Sequence, residues 1–320
     1  MKTNTLHDNL IFAIRERLPH GANMANTLMD ILFIGKEAVY RRLRGEVPFT
    51  LSEIAALSKE LGLSVDQVIG SCNCSNAIFR LSQLQYDNLA QTDYSALEAS
   101  IRNMKNMYAD KNCEIGSSAN TLPFSFLLKY DNLSKLRLFK WKYNHSSIKD
   151  MEPFNEMIIP DKLQKIQLDY GREILNISNT YHIWDSMIFL YMINDIKYFA
   201  SINFISRNEV LQMKEEMLML LDDIEDLASC GRNKAGNKVE IYISDTNFEA
   251  TYTYVQSQQY NLSLIWIFTI NAIVSSDENM FRRLKEWIQS LKRFAVLISE
   301  SGEMQRVQFF RKQRELIASI

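Results

Sequence analysis

Apolar residues in the first seventy positions recur every third or fourth place, the spacing that puts them on one side of a helix. Leu10, Ile11, Ile14 and Leu18 form one such stripe after Thr5, and Leu28, Ile31 and Leu32 form a second after Asn23. Val39 and Leu43 mark a third, and Ile54, Leu57 and Leu61 a fourth. The fourth opens on Thr50-Leu-Ser-Glu53, and Ser64-Val-Asp-Gln67 repeats the same capping pattern, in which a hydroxyl and a carboxylate or amide satisfy the first free amides of a helix. Gly45, Pro48 and Gly62 supply the stops. The pattern predicts five short helices over residues 1–70.

The third of these, in the stretch Ile34–Glu46 (IGKEAVYRRLRGE), carries the chemistry. At about 100° per residue, Val39 and Leu43 share one side, and Lys36, Glu37, Tyr40, Arg41 and Arg44 share the opposite arc. Arginine and lysine can fork onto guanine or clamp phosphate, and a tyrosine offers its hydroxyl to phosphate or its ring to a thymine methyl. Gly45 fits a left-handed stop, and Pro48 prevents resumption.

Residues 8–70 resemble the Cro/CI (lambda-repressor-like) family of helix-turn-helix domains. The resemblance lies in Leu28-Met29 on the positioning helix, Leu32-Phe33-Ile34 at the turn, Lys36–Gly45 as the recognition helix, and Leu57–Gln67 (LSKELGLSVDQ). It implies a five-helix domain that places one helix in the major groove of double-stranded DNA, bound as a homodimer to a two-fold operator, as in a repressor. The residues it assigns to DNA are Lys36, Glu37, Tyr40, Arg41, Arg42 and Arg44, with Asn26 and Thr27 at the start of the positioning helix. Two departures stand out. Met29 and Phe33 occupy places where the family has Ala and Gly, which implies a wider helix crossing. Arg42 stands where the family has an apolar residue, so either its stem is stretched over the core with the head in water, or the helix is rotated.

Beyond Gly70–Asn76 (GSCNCSN), a small polar boundary, the pattern predicts helices over Ile78–Leu89 and Tyr94–Tyr108, and residues 71–112 read as a helical connector. Its apolar seam (Tyr94, Leu97, Ile101, Met104, Tyr108) either pairs two subunits or packs on the following domain. Residues 113–320 read as an α+β domain, so the fold class is mainly α, a helix-turn-helix domain followed by a small antiparallel sheet packed by helices. Cys113–Ser117 reads as a strand, while Pro123 and the run Phe139, Trp141 and Tyr143 are ambiguous. Helices follow at Pro160 to about Ile174, Ile183–Ile202 and Arg207–Ala228. In the last, Val210, Met213, Met217, Leu220, Ile224 and Leu227 are flanked by Glu215, Glu216, Asp222, Asp223, Glu225 and Asp226. Those carboxylates would crowd a parallel coil, so this helix is expected to pack inside its own domain.

The period then changes to two. Val239, Ile241 and Ile243, then Tyr252 and Tyr254, then Leu262, Leu264, Trp266, Phe268 and Ile270 alternate with other residues, which predicts an antiparallel meander with Leu262–Val274 as a buried strand. Ser275-Ser-Asp-Glu278 reads as a further capping box, opening a helix with Phe281, Leu284, Ile288, Leu291 and Ala295 inside, and a last helix starts near Gly302.

Charge narrows the partners. The chain of 320 residues has a formal net charge of −2, so nucleic-acid affinity requires a local patch. Residues 1–70 balance eight Lys or Arg against eight Asp or Glu, yet residues 36–46 hold four basic and two acidic residues. Arg282, Arg283, Lys285, Lys292, Arg293, Arg306, Arg311, Lys312 and Arg314 make residues 281–314 basic, and they are expected to dock on the acidic flanks of Arg207–Ala228 rather than to hold DNA.

The four cysteines and four histidines have no metal-ligand spacing, and Cys72-Asn-Cys74 reads as two reduced thiols in a linker. No phosphate-binding loop, dinucleotide turn or hydrolase motif occurs, and Cys230-Gly231, the one dipeptide suited to self-cleavage, lacks a clear Ser/Lys pair after it. The expectation is therefore no enzyme, no cofactor and no metal. With no leader and no apolar run long enough to span a bilayer, the expected location is cytoplasmic. Trp184, Tyr191, Tyr242, Tyr252, Tyr254 and Trp266 could line a pocket for a small-molecule effector; such residues are more often core. The function expected is a sequence-specific transcriptional regulator of double-stranded DNA that dimerises through its C-terminal domain and responds there to a ligand or protein. The alternatives are a protein-docking module or an unrecognised activity in residues 113–320.

Overall fold

The structure, a computed structural model, describes residues 6–18, 23–63, 65, 68, 79–82, 94–107, 110–145, 151–258 and 260–320. The chain divides into two compact units, Met1–Ile78 and Phe79–Ile320.

In the first unit the described residues form helices α1 (Leu6–Arg17), α2 (Met24–Leu32), α3 (Lys36–Leu43) and α4 (Leu51–Leu61). Thr5 and most of the stretch Ser64–Gln67, which would cap the first and fifth helices, lie outside the described residues. Of the side chains expected to face inward, Leu10, Ile14, Leu28, Val39 and Leu57 are buried and, with Ala25, make one core, whereas Ile11, Leu18, Ile31, Leu32, Leu43, Ile54 and Leu61 are half-buried. Asn23 caps α2, its Oδ1 accepting the amides of Ala25 (3.0 Å) and Asn26 (3.3 Å). Thr50 and Glu53 close a reciprocal capping box on α4.

The second unit is built on one eight-stranded mixed sheet in the order β1-β7-β6-β5-β2-β3-β4-β8. The strands are β1 (Arg80–Ser82), β2 (Glu114–Ala119), β3 (Asn179–Asp185), β4 (Lys238–Ser244), β5 (Tyr252–Gln256), β6 (Asn261–Ile267), β7 (Asn271–Ser275) and β8 (Ala295–Leu297). β2, β3 and β4 run parallel, and every other pairing is antiparallel.

The helices of this unit are α5 (Ser95–Met107), α6 (Phe124–Leu127), α7 (Asp131–His145), α8 (Asp161–Ile174), α9 (Leu190–Ser201), α10 (Arg207–Cys230), α11 (Glu278–Leu291) and α12 (Glu303–Ala318). One face of the sheet packs Trp184, Val239 and Ile241 against the large core of α7, α9, α10 and α12. The opposite face packs Tyr181, Ile183 and Tyr254 against Phe281, Leu284 and Ile288 of α11.

Several expectations are corrected here. The sheet is neither small nor purely antiparallel, because β2 and β3 join its centre in parallel with β4. Ile183–Ile202 is not one helix: its start belongs to β3, whose run of five buried residues from Tyr181 to Asp185 is covered on both faces and so shows no alternation. Arg80–Ser82, expected in a helix, pairs with β7. Tyr94, Ile101 and Met104 of the presumed connector are buried and Leu97 partly buried within the second unit, so this part of the seam packs on its own domain; Tyr108 lies outside the described residues.

Leu262–Val274 is two strands joined by a tight turn with Phe268 and Thr269 at φ 48° and 70°, and Arg137 donates to the Thr269 carbonyl at 2.8 and 3.0 Å. Ala295 opens β8 instead of closing a helix, and α11 is capped by Asp277, whose Oδ1 accepts the Met280 amide at 2.7 Å. The charge docking holds for one arginine: Arg314 of α12 reaches Asp222 at 2.7 Å and Glu225 at 2.5 Å on α10.

Candidate nucleic-acid interface

α2 and α3 meet through a three-residue turn. Phe33 ends α2 in the left-handed region, its amide donating to the Met29 carbonyl at 2.9 Å, and Gly35 starts α3 from an extended conformation. Val39 is 1% exposed, which fixes the roll of α3. Lys36, Glu37 and Arg41 then point to solvent, and Tyr40 is half-buried.

The C-terminal end of α3 is held in two ways. Gly45 takes φ 74°, which a residue with a Cβ adopts only at a cost, and its amide donates to the Arg42 carbonyl at 3.0 Å. His7 of α1 sets its Nε2 3.3 Å from the Leu43 carbonyl oxygen and stacks on Phe49 with ring centroids 6.4 Å apart. A lone histidine with no motif gave no warning of this contact in the sequence.

The arginines of α3 divide into two kinds. Arg42 turns inward: its Nη2 lies 2.7 Å from Glu53 Oε1, its Nε donates to Oε2 at 3.0 Å, and its Nη1 donates to the Ala38 carbonyl at 3.1 Å. Its side chain is 15% exposed, so it serves α4 and is removed from the set expected to touch DNA. Burial works against the Glu53 carboxylate, but the Arg42 hydrogen bond, the Thr50 amide and the guanidinium charge together hold it below the usual carboxylate range.

Arg44 is exposed and paired with Glu46 at 2.6 Å and Glu37 at 3.2 Å, and its hydrogen bond pulls the Glu46 carboxyl down. Arg41 approaches Glu46 only at 3.6 Å, and no ion pair engages Lys36 among the described residues. Asn26 is exposed and Thr27 half-exposed on the first turn of α2, where Thr27 Oγ1 donates to the Asn23 carbonyl at 3.3 Å.

The six aromatics expected to line an effector pocket do not converge. Tyr242, Tyr252 and Tyr254 pack toward α11, Trp184 is buried in the core on the opposite face, and Tyr191 is exposed on α9. Trp266 sits 5.8 Å from the Arg137 guanidinium and donates to Thr253 Oγ1 at 3.1 Å. Alternation along neighbouring strands sends such residues to both sides of a sheet.

The α11 face instead carries a polar network that the sequence did not announce. Tyr254 donates to Glu114 at 2.5 Å and meets Tyr181 hydroxyl to hydroxyl at 2.5 Å, while Lys285 pairs with Glu114 at 2.9 Å. Next to it, burial would raise the Glu240 carboxyl, but Lys238, Lys292 and the Tyr242 hydroxyl overcome it and bring it to about 2. On the other face His182 Nδ1 lies 2.9 Å from Ser117 Oγ, and burial lowers the imidazole to about 4, so it is neutral at pH 7.

Among the described residues no helix is long and apolar enough to cross a membrane, and no group of three or more His, Cys, Asp or Glu is placed to hold a metal ion. Cys72 and Cys74 lie outside the described residues.

A short positioning helix, a turn, and a second helix with one buried side and a charged outer side make a helix-turn-helix arrangement. Residues 13–116 match the family model described as the BetR domain, a helical, helix-turn-helix-like DNA-binding domain of transcriptional regulators. The match supports a DNA-binding regulatory role, and it reaches past the first unit through β1 and α5 into β2. No curated protein and no solved structure matches the chain.

Proposed function

We propose that the chain is a sequence-specific transcriptional regulator of the Cro/CI type that reads the major groove of double-stranded DNA with α3. The observation that carries this reading is the division of α3: Val39 is buried and Arg42 is locked to Glu53, while Lys36 and Arg41 are presented outward with Tyr40 half-buried. Lys36 and Arg41 are assigned to base edges, Tyr40 and Arg44 to phosphate, Glu37 to an exocyclic amine, and Asn26 and Thr27 to the backbone beside the positioning helix. Arg44 must exchange its two carboxylate partners for phosphate, which adds salt dependence to binding.

One recognition helix covers a half-site, so the protein is proposed to work as a cytoplasmic homodimer with two such helices about 34 Å apart. The second unit supplies the two-fold platform and responds to an effector at a site other than the six dispersed aromatics. Repression by occupancy of the operator needs no covalent chemistry, cofactor or metal. Selection of bound sequences from random duplex DNA tests the reading: enrichment of a palindrome supports it and gives the half-site spacing, and flat recovery counts against it.

A further inference from the structure

Phe33 combines two costs in one residue. It holds φ 53° and ψ 40°, the left-handed region that glycine enters freely and a side chain with a Cβ does not, and it is 92% exposed. Leu6, Phe12 and Leu51 of the same unit are also exposed, but each lies in an ordinary helix. The turn itself needs only the left-handed backbone, which Gly or Asn would supply. The phenyl ring therefore gives the fold nothing that its exposure reveals, and strain combined with an unpartnered apolar group points to a role outside the fold.

Its neighbours indicate the partner. Phe33 lies three residues before Lys36 in the chain, with half-buried Ile34 and the exposed N-cap Gly35 between, so an exposed ring and an exposed cation flank the turn that opens α3. An apolar ring beside cations suits a surface that is anionic outside and apolar within reach, as the major groove is where it offers thymine methyl groups.

We propose that Phe33 is a specificity-determining DNA contact, packing on apolar duplex surface beside the bases read from α3. This rests on the DNA-binding reading above. The strain at Phe33 is kept because the ring is needed at the interface.

The test compares Phe33→Gly, Phe33→Asn and Lys36→Ala in the full chain, using the duplex that the wild-type protein selects from random sequence and the same duplex with uracil in place of thymine. Both Phe33 variants are expected to melt at or above the wild-type temperature, yet to bind about fivefold or more weakly with an unchanged salt slope. If the contact is a methyl, uracil weakens the wild type and leaves the Phe33 variants unaffected; insensitivity to uracil with the loss retained places the ring on deoxyribose.

Wild-type affinity in both Phe33 variants, with Lys36→Ala impaired, overturns the proposal and leaves the reader intact. Wild-type affinity in all three overturns both. A lower melting temperature in both Phe33 variants also overturns it, because the ring would then belong to the fold, and loss of a protein partner with DNA binding unchanged assigns the ring to that partner instead.

Discussion

The guanidinium of Arg42 on α3 and the carboxylate of Glu53 on α4 meet at 2.7 Å, while the same carboxylate accepts the Thr50 amide at 2.8 Å to cap α4. α3 and the helix after it thus share one polar joint. An arginine in a place suited to an apolar residue is tolerated because a capping glutamate lies ready to take its charge.

Removing the joint should cost stability, not readout. Arg42→Ala is expected to destabilise the first unit by about 1 to 3 kcal/mol, since it strands part of a half-buried carboxylate. The salt slope of DNA binding should stay unchanged under conditions where the variant is folded; a slope smaller by about one would mean Arg42 touches phosphate after all. Because Glu53 is depressed in the folded state, its contribution is present above the unfolded value and is lost as acid protonates it, so wild type but not Glu53→Gln should show this part of the acid loss below pH ~4.3.

His182 sets a second pH window, of the opposite chemical kind. Its folded imidazole is lowered to about 4, against an unfolded value near ~6.5, so between these values the unfolded chain takes up a proton that the folded chain refuses. Stability of the second unit should be full above pH ~6.5 and fall as the pH drops toward 4, and His182→Gln should flatten that limb. Denaturant titrations at several pH values check it; an identical slope in the variant would contradict the assignment.

Gly116 allows two tyrosines to cross β2. A Cβ there would come closest to the Tyr181 ring carbon Cζ and lie 2.6 Å from both the Tyr181 hydroxyl oxygen and Tyr254 Cε1, with backbone strands on either side leaving little room to yield. Gly116→Ala should destabilise the second unit by about 1 to 3 kcal/mol in chemical denaturation. Gly116→Ala combined with Tyr181→Phe should stay destabilised, because the ring carbon Cζ remains in the way, and an unperturbed single variant would refute the crowding.

Arg314 separates stability from DNA affinity. Charge reversal by Arg314→Glu would face Asp222 and Glu225 with a third carboxylate, so the second unit should lose about 1 kcal/mol or more. The salt slope of DNA binding should not change. A slope lower by about one in a stable variant would place this arginine on phosphate.

What the sequence made legible follows the range of the forces involved. Asn23, Thr50 and Gly45 act on amides within four residues, so the caps and stops of the first unit could be read directly. The inward turn of Arg42 depends on a partner eleven residues away on another helix, and the departure at that position flagged the anomaly without resolving it. β3 was lost in a presumed helix because Tyr181–Asp185 is buried continuously, and its neighbours β2 and β4 come from more than fifty residues to either side. The Tyr181–Tyr254–Glu114 network joins three strands, and no local spacing announces it.

The central claim is that α3 reads base sequence. Equilibrium binding of the full chain to its selected duplex and to a scrambled duplex of equal length, at one fixed salt concentration, measures this directly. The account predicts at least ~1,000-fold preference for the selected duplex, and a loss of about 1 to 3 kcal/mol on it for Lys36→Ala or Arg41→Ala with little change on the scrambled one. Equal affinity for the two duplexes, or variants that match the wild type on both, would contradict it.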